Sequence, residues 1–182
     1  MIRRFLISGL ALAALPWALS GVSGNAAEPR PEQPAPRLLN KANILPLALD
    51  DAFEFRKQKI FVQDRKLQEQ TSERMIRFER ERTNWGAVTA EERREREGHY
   101  FTFWWRSTRP ANVTVRLEYR QGNLGNYVQA QEVDFSVGKG THKAKFDVIG
   151  DCYHDDGPVI AWRAVVVENG KIVALTQSHL WH

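Results

Sequence analysis

Residues 159–168, Val-Ile-Ala-Trp-Arg-Ala-Val-Val-Val-Glu, restrict the fold more than any other stretch of the chain. The run is short and rich in β-branched residues. Gly157-Pro158 and Asn169-Gly170 bound it, so it reads as a strand. Successive side chains of a strand point to opposite faces. Here Ile160, Trp162, Ala164 and Val166 share one face; Val159, Ala161, Val165 and Val167 share the other, with Arg163 the interruption. A strand that is apolar on both faces must be covered on both. The chain therefore has to supply a core beneath this strand and a lid above it.

The neighbouring sequence supplies the core. From His99 onward the pattern is that of strands, at 99–106, 113–121, 127–137, 141–149, 159–168 and 171–181. Val113, Val115, Leu117 and Tyr119 alternate with Thr114, Arg116, Glu118 and Arg120. Val133, Phe135 and Val137, and then Ala144, Phe146 and Val148, alternate with polar residues in the same way. Each of these strands has one wet face. Gly122-Asn123, Gly138-Lys139-Gly140 and Gly150 separate them, and Asn169-Gly170 is a two-residue type I′ hairpin signal. Six strands at this spacing predict an antiparallel sandwich.

The lid is sought upstream. Residues 51–84 lack Gly and Pro, and Asp51 with Glu54 has capping-box spacing. Phe53, Ile60 and Leu67 recur every seven residues, and Met75, Phe78 and Trp85 continue the stripe after a shift. One long helix over 51–84 is expected, about 50 Å long, with its apolar stripe laid over the outer face of the Val159–Val167 strand. Thr89 and Glu92 form a second capping box that opens a short helix ending before Gly98.

The N-terminus reads as an address. Arg3 and Arg4 precede an apolar run from Phe5 to Leu19, and the small residues around Ala26 and Ala27 follow. These are the parts of a secretory signal peptide spanning residues 1–27; an uncleaved membrane anchor is the alternative. Pro29, Pro31, Pro34 and Pro36 make residues 28–50 an extended linker. The expected order is signal peptide 1–27, linker 28–50, helical segment 51–98 and β-sandwich domain 99–182. The fold class is α+β, an N-terminal long helix followed by the antiparallel sandwich.

The segment 99–182 resembles immunoglobulin-like and fibronectin type III-like sandwiches in strand number, in the Trp162 strand and in the Asn169-Gly170 hairpin. It lacks the inter-sheet cysteine pair of antibody domains. Phe103-Trp104-Trp105 and Gln177-Ser178-His179-Leu180-Trp181 resemble stretches of uncharacterised bacterial exported proteins. The resemblance implies no activity.

Composition narrows the function. A net charge of +4, two of the positive charges being Arg3 and Arg4, is too small a surplus for a nucleic-acid-binding surface. One cysteine excludes a disulfide framework within the chain; export would leave Cys152 as a buried thiol or an intermolecular bridge. The loop Asp151-Cys152-Tyr153-His154-Asp155-Asp156 gathers reactive residue types. Cys152, His154 and Asp155 are the weak candidates for a metal site, with His179 or His182 approaching from elsewhere. No zinc-protease, calcium-loop, phosphate-loop or nucleophile-elbow spacing accompanies them. A polar turn is the simpler reading, and no cofactor and no catalytic residue is assigned. Trp104, Trp181 and Tyr153, together with Tyr127, form the candidate binding set. The sequence thus predicts an exported, non-catalytic interaction or structural module with a protein partner in the cell envelope. It would reach a membrane only through an uncleaved signal anchor. The alternatives are a carbohydrate-binding module using exposed aromatics and a metal-binding hydrolase.

Overall fold

The computed structural model describes residues 33–39, 42–65 and 73–182. The signal-peptide reading of residues 1–27 lies outside them. Among the described residues, eight strands form two antiparallel sheets. In chain order they are β1 (Arg37–Leu39), β2 (Phe53–Gln63), β3 (Gly98–Ser107), β4 (Ala111–Gln121), β5 (Gln129–Val137), β6 (Gly140–Ile149), β7 (Val159–Glu168) and β8 (Lys171–Gln177). Three short helices intervene: α1 (Arg74–Thr83), α2 (Ala90–Arg94) and α3 (Asp151–Asp156). One sheet has the order β1-β5-β4-β7-β8, the other β2-β3-β6.

Alternation places the core between the sheets. Phe101, Phe103 and Trp105 of β3 and Phe146 of β6 pack against Val115, Leu117 and Tyr119 of β4 and Trp162, Ala164 and Val166 of β7. Trp162 meets the rings of Phe101 and Phe103 at centroid separations of 6.2 and 5.4 Å. Burying each such side chain stabilises the fold by about 1.5–3 kcal/mol. The Asn169-Gly170 hairpin has φ of 50° and 74°, the left-handed pair that a type I′ turn needs. Gly98, read from the sequence as a helix stop, opens β3 instead. A Cβ there would stand 2.1 Å from the Val148 carbonyl oxygen, so the close approach to β6 requires glycine.

The long helix over 51–84 does not exist. Residues 53–63 are strand β2, and α1 spans only Arg74–Thr83. The supposed capping box is a turn: the Asp50 carboxylate accepts the Ala52 N–H at 2.8 Å, and the Asp50 carbonyl accepts from Phe53 at 3.0 Å. Phe53 and Phe55 then follow a period of two, and β2 completes its hydrogen bonding by pairing with β3 along its length. The Thr89–Glu92 capping box is present, and it opens α2.

The lid exists, but a different segment forms it. The outer side of β7 buries Val165 and Val167 with Ile172 of β8, and Leu45 packs onto them. Leu45 belongs to the stretch read as a linker. That stretch adds β1 to the edge of β5 and then runs parallel to β8. There Ile172 donates to the Pro46 carbonyl at 2.9 Å, and Ala48 and Asp50 donate to the Ile172 and Val173 carbonyls at 2.9 and 3.0 Å. The signal was in the sequence, as the run Ile44-Leu45-Pro46-Leu47-Ala48-Leu49.

Candidate functional site

The two sheets turn opposite outer faces to solvent, and the candidate binding residues divide between them. Trp104 lies on the outer face of the three-stranded sheet, because Phe103 and Trp105 on either side of it point into the core. In register it faces Lys57 of β2 on one side and Lys143 of β6 on the other. Their ammonium nitrogens sit 5.3 and 5.7 Å from its ring centroid. These lysines come from strands on opposite sides of β3, and Trp104 between them is half-buried. Exposed Arg106 and Lys145 stand in the adjoining rows of this sheet. The acid there, Glu54, is paired with Arg56 at 3.1 Å. The patch is therefore positive, with a half-buried tryptophan at its centre.

Trp181 lies on the outer face of the five-stranded sheet. The Arg120 and Arg163 guanidiniums approach its ring centroid to 4.9 and 5.2 Å. The C-terminal hook that carries it is tied down by backbone: Ser178 donates to the Trp162 carbonyl at 2.9 Å, and Arg120 donates to the His182 carbonyl at 3.3 Å. Beneath the hook and the Leu45 strap runs an ion network. Arg116 Nε donates to Glu132 at 2.6 Å and lies 3.5 Å from Glu118, which accepts from Arg163 at 2.5 Å. Arg116, Glu118 and Glu132 are buried. Arg37 adds a bond to Glu132 at 2.9 Å, and Arg116 also donates to the Asn43 carbonyl at 3.0 Å. On the same face an open groove of about 470 Å³ is lined by Asn112, Thr114, Asp134, Ser136 and Asn169, with none of the candidate aromatics.

Tyr153 is elsewhere again. The 151–156 loop is helix α3, whose Tyr153 hydroxyl donates to Asp64 at 3.0 Å. Burial first, and then the bond to Asp64, push this phenol up to about 12. Its ring leans on His99 and His154 at centroid separations of 5.7 and 5.4 Å. His99 is buried against Phe101, and its Nε2 has no hydrogen-bond partner. Burial drives its imidazole down to about 4, although Asp64 pulls the other way. His99 was missed in the sequence because a histidine that opens a strand carries no signal of burial.

The metal candidates do not converge. Cys152 is exposed rather than buried. His154 Nε2 is held at 3.2 Å by the Arg94 carbonyl and at 3.5 Å by Glu97. The Asp155 contact is through its carbonyl, which accepts from Asn123 at 2.8 Å. His182 is on the C-terminal hook. Among the described residues no three His, Cys, Asp or Glu side chains are grouped to hold an ion. Trp104, Trp181 and Tyr153 likewise form no single platform.

Comparison with known proteins gives no relative: no family model, no curated protein and no solved structure matches this chain. No helix among the described residues is long and apolar enough to cross a membrane.

Proposed function

We propose that this protein is an exported, non-catalytic interaction module that docks an acidic protein partner in the cell envelope, in the periplasm or outside the cell. Residues 1–27 would direct export, and the sandwich, immunoglobulin-like in character, would act as a rigid platform. The observation that carries the reading is the register Lys57–Trp104–Lys143 on the outer face of the three-stranded sheet. Flat sheet faces suit protein surfaces, and a tryptophan with an arginine nearby supplies the residue types that anchor interface centres. The surrounding cations give the encounter its electrostatic sign.

The same geometry weighs against stacking on a sugar. A sugar ring needs an open aromatic face, and Trp104 is half-buried with the Lys57 and Lys143 ammonium groups 5.3 and 5.7 Å from its ring centroid. The test uses the full chain with immobilised poly-glutamate as the acidic polypeptide probe and insoluble neutral polysaccharide as the counter-probe. Retention on poly-glutamate that drops at least tenfold in Lys57→Glu/Lys143→Glu supports the reading. Retention on the neutral polysaccharide that is lost in Trp104→Ala overturns it in favour of carbohydrate binding.

A further inference from the structure

Helix α1 keeps Ile76 half-buried but turns its two largest apolar side chains outward. Its one buried residue is Arg80, whereas Met75 and Phe78 are 75% and 61% exposed. In the turn beyond it Trp85 and Val88 are 85% and 80% exposed. A helix recruited to cover a core would turn these groups inward. The segment is held by polar contacts instead. Arg96 donates to the Thr83 and Trp85 carbonyls at 3.2 and 2.6 Å, and Glu79 pairs with Lys59 of β2 at 2.9 Å. The fold thus fixes the backbone of the segment and leaves its largest apolar side chains outside.

At 100° per residue, Met75, Phe78 and Arg82 share one side of α1, with Arg74 and Glu81 flanking. Arg74, Arg77 and Arg82 outnumber Glu81 among the exposed charges of the helix, Arg82 also touching Glu79 at 3.1 Å. Apolar and cationic side chains alternate along the chain, as Arg74-Met75, Arg77-Phe78 and Arg82 before Trp85.

We propose that the segment from Arg74 to Val88 seats on an anionic lipid bilayer surface. Met75, Phe78, Trp85 and Val88 enter the boundary between headgroups and acyl chains, while Arg74 and Arg77 meet lipid phosphates. Interleaved cations and apolar groups fit a surface that offers anions and hydrocarbon within a few ångströms of one another. A tryptophan at the end of the row suits that boundary, where one part of the ring is dry and the other wet. The inference is independent of the docking face around Trp104, since it uses none of those residues.

The test reads the position of Trp85 directly. Full-length protein is added to vesicles of phosphatidylglycerol and phosphatidylcholine that contain lipid brominated near the headgroup end of its chains. Bromine quenches only tryptophans that reach that depth. Wild type should lose more emission than Trp85→Phe, by the share of one of the six tryptophans. Arg74→Glu/Arg77→Glu should lose at least half of that difference. Equal quenching of wild type and Trp85→Phe overturns the proposal. An undiminished difference in phosphatidylcholine alone also overturns it, because the surface would then not be selected by charge.

Discussion

The two outer faces of the sandwich carry similar residue types and treat them in opposite ways. On the five-stranded sheet, Arg116, Glu118 and Glu132 are buried beneath a strap and a hook, and each charge is met by another. On the three-stranded sheet, Lys57, Arg106, Lys143 and Lys145 stand in water around Trp104. Burial decides what a charge costs. An ion pair out of water has to be completely matched, whereas solvated lysines cost the fold little. The covered face is accordingly held together by matched charges, and the open face is the one on which the proposed docking rests.

The sharpest way to break this contrast is to leave the buried network incomplete. Arg116→Ala removes the cation shared by two buried glutamates, leaving Glu118 with Arg163 and Glu132 with Arg37, and is expected to destabilise by about 3–4 kcal/mol in urea unfolding. Lys57→Ala, the matching change on the open face, should stay within about 0.5 kcal/mol. Equal losses would show that the two faces do not differ in the way described.

Next in size is His99, which lies between the faces at one end of the core. Its imidazole titrates near 4 in the folded chain and near 6.5 when unfolded. Above pH 6.5 neither state is protonated and the stability is complete. Between 6.5 and 4 the unfolded chain takes up a proton that the native state refuses, so stability falls as pH falls, by about 3 kcal/mol at the full shift. Carboxylates titrate in part of this range, so the measurement is the difference in urea midpoint between wild type and His99→Gln, taken at each pH. That difference should shrink steadily on acidification; a constant difference would remove His99 as the cause.

Leu45→Ala tests the identity of the lid. Leu45 is partly buried on Val165, Val167 and Ile172, and its truncation should cost about 1–2 kcal/mol, near the low end for core leucines. Trp104→Ala should cost about 1 kcal/mol through loss of two cation–π contacts, with core strands intact by circular dichroism. Phe78→Ala on α1 should change stability by less than about 0.5 kcal/mol, because Phe78 is 61% exposed.

The sequence was most legible where local pattern and tertiary demand agree. The strands from β3 to β8 could be read from turn residues and from alternation, or, in β7, from an apolar run short enough to be a strand. Strand β2 could not. Its outward residues, Arg56, Lys57 and Lys59, are good helix formers that serve equally well on a solvated sheet face. Only hydrogen bonding to β3, more than thirty residues away, decides the matter. Trp104 could be singled out from its apolar neighbours, but its partners Lys57 and Lys143 are set by register across three strands. Register between distant strands leaves no mark on either one.

The amino-acid order by itself determined that β7 is apolar on both sides and must be roofed, because the alternation of a strand is a local property of its backbone. It also determined the Asn169-Gly170 hairpin and the Thr89–Glu92 cap, where a few adjacent residues satisfy one another. Only the tertiary structure decided that Leu45 supplies part of the roof, that the buried arginine–glutamate network lies beneath it, and that α1 turns its apolar side outward. Those outcomes depend on which distant segments reach the same place, and many segments of this chain carry enough hydrocarbon to compete for it.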